Sequence, residues 1–364
     1  MKQPEMTLHS LPPNDRYANL RHKLSHSASS VEQTQCKSNR TTPAYLFHGN
    51  ANNFKKRSQK LLYVEGTTDK ALVQKLNHLQ VEIVPVINFI KPLPTSPFYK
   101  SFNSFKINNI DNTSPEIQLI NSTYPNTKPS HKDLVKTLVD KTNNYGLVDL
   151  DFDTPKLEYN SQRLLYTDTH DIETFILYSD NQILEALGID DELKNKAYYM
   201  AYQLANVRFV LEDMKSNYRT FLKPDSLVFA DLKNLFCEDT LKLSLNKLKA
   251  FFQAKVQQSD HQLDIFINNC RLIGFDTETS EWGESFSTFD YKKIEIFWYM
   301  VNGHDILSIL CCLNPELAEK YHRTATTNNN PNREFEMDLI NHYNINCMTN
   351  TDLYNGMVNL KLVA

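Results

Sequence analysis

The chain has 364 residues, 41% hydrophobic and 23% charged, the proportions of an ordinary globular protein of about two domains. Its 39 basic and 43 acidic residues leave a net charge of −4. No overall basic field is present to hold a nucleic acid, so such binding would need a local patch, a second subunit or metal ions against the phosphates. Gly is scarce, with 8 residues, and neither G-x-x-x-x-G-K-[ST] nor G-x-G-x-x-G occurs, which excludes the common phosphate-cradling loops.

The 6 cysteines form no C-x-x-C pair, so neither a zinc finger nor a disulfide framework is expected. Cys311 and Cys312 fall in the apolar run 306–313 and read as buried thiols. The first residues have no apolar core of a secretory signal, and no apolar run approaches the roughly 20 residues of a membrane span. The expectation is a reduced, cytoplasmic protein without a membrane segment.

Residues 1–56 are rich in Ser, Thr, Asn, Gln, His and Pro and read as a polar extension that cannot build a core of its own. Leu61-Leu62-Tyr63-Val64 is a short apolar run ended by Glu65-Gly66, a buried strand. Thr67 and Thr68 are good N-caps, and Leu72, Leu76 and Leu79 then follow at helical spacing. Residues 81–90, rich in Val and Ile, give the next strand, so the order begins as a parallel βαβ unit. Residues 91–130, with 6 prolines and many Ser, Asn and Thr, read as a long surface insertion.

A helix is predicted over 131–143, then a strand at Gly146-Leu147-Val148, running into Asp149-Leu150-Asp151-Phe152-Asp153. Leu164-Leu165-Tyr166 is a further strand, followed by a helix from about Ile172. Beyond about 180 the pattern is helical over 191–215, 240–257, 294–301 and 305–313, with 273–276 as an isolated strand and 326–334 as a loop. The predicted organisation is an α/β, Rossmann-like parallel-sheet core over 57–180, carrying the 91–130 insertion, followed by a mainly α-helical domain over 181–364.

The chemistry-bearing residues cluster at strand ends. Glu65 ends the first strand, and ligands of open parallel sheets gather at carboxyl ends. Asp149, Asp151 and Asp153 alternate, so an extended backbone would point all three to one side. Three converging carboxylates raise one another's pKa unless a cation sits among them, and an oxygen-only set suits Mg²⁺, Mn²⁺ or Ca²⁺. The plainer reading is a polar loop with Asp residues capping turns. An EF-hand is excluded, since the Gly and Glu it requires are missing.

Thr167-Asp168-Thr169-His170-Asp171-Ile172-Glu173 follows the last strand directly. Glu173 is a candidate ligand and His170 a candidate phosphate contact or proton carrier. The plainer reading is a helix start, with Asp168 as N-cap and Asp171 and Glu173 favoured by the helix dipole. Asp69, in the first turn of its helix, has the same double meaning. His304, in Asn302-Gly303-His304-Asp305, could join the acids, although Asn-Gly reads first as a turn with Asp305 capping the next helix. The lysines 242, 247, 249 and 255 do not share one helix face, and Phe297-Trp298-Tyr299 reads as core or interface.

Glu at the end of one strand and a D-x-D after a later one resemble the TOPRIM domain of topoisomerases, primases and OLD-family nucleases. The residues that carry the likeness are Val64-Glu65-Gly66-Thr67-Thr68-Asp69 and Asp149-Leu150-Asp151-Phe152-Asp153. The block Tyr166–Glu173 narrows the likeness to the stand-alone, OLD-related bacterial group of AriB-like nucleases of PARIS anti-phage defence, and the segment 302–305 is similar to that group too. The resemblance covers about residues 58–180; the insertion and the N-terminal extension depart from it.

The resemblance implies Mg²⁺- or Mn²⁺-dependent cleavage of phosphodiester bonds. Glu65, Asp149 and Asp151 would be catalytic, and Glu65, Asp69, Asp149, Asp151, Asp153 and Glu173 would form the metal-binding set, with Glu65 as ligand or general base. It further implies a nucleic-acid substrate (host tRNA or DNA), an ABC-type ATPase partner that holds the enzyme in check, and a homodimer in the active state. Topoisomerases and primases need further domains that this chain lacks. A non-catalytic, metal-stabilised scaffold for an ATPase is the alternative; the presence of Glu65, Asp149 and Asp151 favours the enzyme.

Overall fold

The computed structural model describes residues 60–89, 115–124, 129–151, 163–217, 232, 234–255, 260–294, 296–322 and 332–363. The extension 1–56 lies outside them. The chain divides into two compact units. The described residues of one fall within 60–149, 163–168 and 344–363; those of the other fall within 150–151 and 169–343. This partition runs differently from the predicted blocks: the last residues join the sheet, and the helix after the fourth strand joins the helical unit.

The sheet unit contains β1 (Lys60–Val64), β2 (Val81–Pro85), β3 (Tyr145–Val148) and β4 (Leu164–Tyr166). They form one wholly parallel sheet in the order β2-β1-β3-β4. Parallel strands need helical crossovers, which bury both faces and make the strands continuous apolar runs. Leu61 and Tyr63 face one side, into a cluster with Ile117, Ile120, Leu134, Val135, Leu138 and Val148. That side is covered by α2 (Pro115–Thr123) and α3 (His131–Lys141). Leu62 and Val64 are buried on the opposite side, which is covered by α1 (Thr67–Gln74) and by α13 (Asp352–Asn359), where Gly356 approaches Leu165.

Three local predictions are corrected here. The second strand stops at Pro85, and Val86–Asn88 turns as a short 3₁₀ segment in which the Ile87 N–H bonds to the Glu65 carbonyl at 3.3 Å. The first helix stops at Gln74, so Leu79 is not on it; Leu79 instead forms a single antiparallel bridge with Val363. Within 91–130 the described residues are not all surface loop: α2 sends Ile117 and Ile120 into the core.

The helical unit is built around the long α6 (Asp191–Asn217). Before it come α4 (Ile172–Ser179) and α5 (Ile183–Ala186). After it come α7 (Leu245–Lys255), α8 (Asp260–Arg271), α9 (Phe297–Met300), α10 (Gly303–Leu313), α11 (Pro315–His322) and α12 (Arg333–His342). Helix α6 packs against α8, α9 and α10. Aromatic side chains fill its contacts; Tyr198 meets Trp298 edge-on, with ring centroids 5.4 Å apart. Of the run Phe297-Trp298-Tyr299, Phe297 is fully buried and belongs to the core, Trp298 is half-buried and Tyr299 is exposed. The predicted strand 273–276 reduces to one bridge between Phe275 and Trp282. Lys247 bonds the Phe236 carbonyl and Lys249 pairs with Asp264, so these two lysines do not act as a single basic patch. No helix among the described residues is long and apolar enough to cross a membrane.

Candidate functional site

In the sheet, the chain passes from β1 outward to β2 and then returns to the other side of β1 to lay down β3. Adjacent strands whose connections depart in opposite directions leave a crevice at their carboxyl ends, the usual ligand position of an open parallel sheet. Glu65 directly follows β1 and Asp149 directly follows β3. The structure brings these two residues together: the Asp149 N–H donates to Glu65 Oε1 at 3.0 Å. Both are half-buried, and Asp149 Oδ1 is shut off from solvent. A carboxylate from each strand end is an oxygen-only donor set, which fits a hard dication such as Mg²⁺.

Asp69 lies in the same turn, buried, with Oδ2 accepting the Gly66 N–H at 2.6 Å. The N-cap position falls on Gly66, not on the threonines, so Asp69 closes the turn that presents Glu65. The extended ladder predicted for Asp149, Asp151 and Asp153 does not form. The strand ends at Val148, and Asp151 sits exposed at φ 52°, a left-handed conformation that breaks the alternation. The Asp151 N–H bonds to the His170 carbonyl at 2.6 Å within the helical unit. Asp153 lies outside the described residues.

The block after β4 is divided between the units. Asp168, in the sheet unit, accepts from the main-chain N–H groups of Asp352 and Leu353 at 2.7 and 2.8 Å, so it caps α13. The predicted cap of α4 falls instead to Asp171, whose Oδ1 accepts the Thr174 N–H at 2.8 Å. His170 is buried and tied to the main chain of the α9 segment, through its N–H to the Trp298 carbonyl and its Nδ1 to that of Tyr299. Those bonds assign His170 a positioning part in the helical unit.

Glu173 has a different setting. It is 3% exposed in the first turn of α4, and Gly303 comes so close that a Cβ there would lie 2.4 Å from Glu173 Cβ. The Gly303 N–H reaches Asp171 Oδ2 at 2.7 Å, locking the start of α10 onto the start of α4. Asn302, not Asp305, caps α10. Asp305 is taken by Arg208 of α6 in a buried two-point pair, at 2.5 and 2.7 Å. That docking sets His304 beside Glu173, and His304 Nδ1 lies 2.9 Å from Glu336 Oε1 of α12.

Ligand atoms of Glu173, His304 and Glu336 all lie within 4.8 Å of one another, the one such trio among the described residues. Burial holds the Glu173 carboxyl well above the usual range; the His304 charge opposes this, while Glu336 and Asp171 add to it. Burial pushes His304 down, but the Glu173 charge, the Glu336 hydrogen bond and the charges of Glu336 and Asp171 outweigh it and hold the imidazole well above its ordinary value.

Sequence reasoning named Glu173 and His304 but missed Glu336. The signal was present: Phe335, Glu336, Leu339 and Ile340 form one buried stripe at helical spacing, and an acid on an apolar stripe calls for a partner. No family model, no curated protein and no solved structure matches this chain.

Proposed function

We propose that the protein is a metal-dependent phosphodiesterase of the TOPRIM kind, acting on nucleic acid, with Glu65 and Asp149 as its catalytic carboxylates. The observation that carries this reading is the meeting of the two side chains' strand ends at the switch point of a parallel sheet. The Asp149 N–H fixes one oxygen of Glu65 and so orients its carboxylate before any substrate arrives. Asp69 holds the turn from which Glu65 projects.

Glu65 and Asp149 would hold Mg²⁺ or Mn²⁺, which when bound neutralises the scissile phosphate and lowers the pKa of an attacking water. That cation also answers the difficulty that a chain of charge −4 must approach a polyanion. Glu65, as ligand or general base, receives or balances the proton of that water. By the same reading the natural target is a structured RNA such as tRNA, or DNA, and a companion ABC-type ATPase restrains the enzyme, since this chain has no phosphate-cradling loop of its own.

The test is cleavage of total tRNA, single-stranded DNA and duplex DNA with Mg²⁺ or Mn²⁺, by wild type and Glu65→Gln, with and without the co-encoded ATPase. Gln keeps the acceptor for the Asp149 N–H but removes the charge. Loss of cleavage with an unchanged melting temperature supports the reading. Equal cleavage by both proteins, or none by wild type with its ATPase released, overturns it.

A further inference from the structure

We propose that Glu173, His304 and Glu336 form a metal site within the helical unit, taking one divalent transition ion of the zinc–manganese class. Three helices contribute one side chain each: α4 gives Glu173, α10 gives His304 and α12 gives Glu336. Their ligand atoms already lie within 4.8 Å of one another. Zinc–ligand bonds of about 2.0–2.2 Å place tetrahedral ligands roughly 3.3–3.6 Å apart, so modest side-chain shifts complete the coordination. The 2.9 Å hydrogen bond between His304 and Glu336 is shorter than that ligand spacing; without the ion, a proton holds the pair together.

An independent observation comes from Glu173. Glu173 is 3% exposed, its ligand oxygen lies within 4.8 Å of the ligand atoms of His304 and Glu336, and its carboxylate, which accepts from its own main-chain N–H, faces the His304 charge. A buried carboxylate in that state is expensive unless a cation or a shared proton meets it. The nearest competitors are committed elsewhere. Asp171 spends Oδ1 on the Thr174 N–H and Oδ2 on the Gly303 N–H, and Arg208 is engaged by Asp305.

The donor set decides the class of ion. One imidazole and two carboxylates favour zinc, manganese or iron(II) over magnesium or calcium, which prefer oxygen alone. The side chain of His304 is 47% exposed, whereas that of Glu336 is 2% exposed, so the site opens to solvent on the histidine side. Ion and water ligands reach it there. Bound in this way, the ion ties α4, α10 and α12 together.

The experiment uses the full chain, stripped by chelator dialysis and titrated with Co²⁺ by visible absorption and with Zn²⁺ by dye competition. Wild type is compared with Glu65→Ala/Asp149→Ala, Glu336→Gln and His304→Gln. The strand-end double variant should bind one equivalent of Co²⁺, wild type should bind that equivalent with the same spectrum besides any taken by Glu65 and Asp149, and Zn²⁺ should raise the melting temperature of both. Glu336→Gln and His304→Gln should bind at least about tenfold more weakly. His304→Gln alters a half-exposed side chain, so it reports on the site even where Glu336→Gln perturbs folding. Loss of all uptake in the strand-end double variant, or unchanged affinity and spectrum in both cluster variants, overturns the proposal. Neither outcome depends on cleavage, so this inference and the proposed function fail separately.

Discussion

The two units assemble acidic clusters by opposite routes. In the sheet unit, Glu65 and Asp149 stand where parallel strands end, and a single main-chain hydrogen bond is enough to join them. The topology does the positioning, since any residue directly after β1 or β3 arrives at that crevice. In the helical unit no such rule exists. Glu173, His304 and Glu336 meet only because Gly303 lets α10 touch α4, and because Arg208 draws Asp305 onto α6. A strand-end site is robust to the details of packing, whereas a site between helices is a direct product of them.

The sharpest way to break this contrast is to remove the anchor of the helical site. Replacing Arg208 by Met strands the buried Asp305 carboxylate. Breaking a buried pair at one end costs about 3–5 kcal/mol, so Arg208→Met should lower stability by that order in a urea melt. A change below about 1 kcal/mol would show that the pair does not hold α10 to α6. The reverse experiment, replacing both partners by apolar residues of similar size, should recover most of the loss.

A matched pair of glycine substitutions sharpens the comparison further. At Gly303 a Cβ would stand 2.4 Å from Glu173 Cβ and 3.0 Å from the Thr174 nitrogen, which belongs to a capped helix start and cannot retreat. At Gly146, in β3, it would stand 2.6 Å from Val135 Cγ1 and 2.7 Å from Val139 Cγ2, the ends of side chains. Overpacking typically costs about 1–3 kcal/mol, and more where backbone must move. Gly303→Ala should therefore cost about 3 kcal/mol or more, and Gly146→Ala about 1–3 kcal/mol. Equal losses in denaturant melts would contradict the view that the helical contact is the less forgiving one.

The same contrast explains what could be read in the sequence. β1, β3 and β4 were legible because strands buried on both faces are uninterrupted apolar runs, and Glu65 and Asp149 were legible because they terminate those runs. β2 was drawn too long, since Ile87 is as apolar as its neighbours although the chain has already turned after Pro85. The D-x-D alternation misled because strand geometry stops at Val148 and Asp151 adopts a left-handed backbone. Asp168, Asp171 and Asp305 each cap or pair with a partner other than the expected one. Residue type gives the capacity to cap; which helix start is near is tertiary information. Glu336 stands out as an acid on an apolar stripe in need of a partner, but which partner it meets was illegible for the same reason, since His304 and Glu173 come from distant helices.

The smallest effect expected concerns Asp168, the capping acid of the sheet unit. Its carboxylate accepts two main-chain N–H groups of α13, and losing such a cap in Asp168→Ala should cost about 1 kcal/mol. Burial nevertheless raises its pKa; the bonds to Asp352 and Leu353 pull it back, and the Asp352 charge adds to the rise. The sign follows from linkage. With the folded pKa above the unfolded value of about 3.9, the folded state binds the proton more tightly, so this contribution is present below the unfolded pKa and is lost as pH rises through the folded one. Asp168→Asn cannot titrate. The stability of wild type relative to Asp168→Asn should therefore improve as pH falls from neutral to about 3, whatever the offset between the two proteins at neutral pH. Urea midpoints of both proteins at the two pH values measure this directly. A difference that stays constant would mean that the two N–H bonds cancel the cost of burial, and a difference of opposite sign would mean that they exceed it.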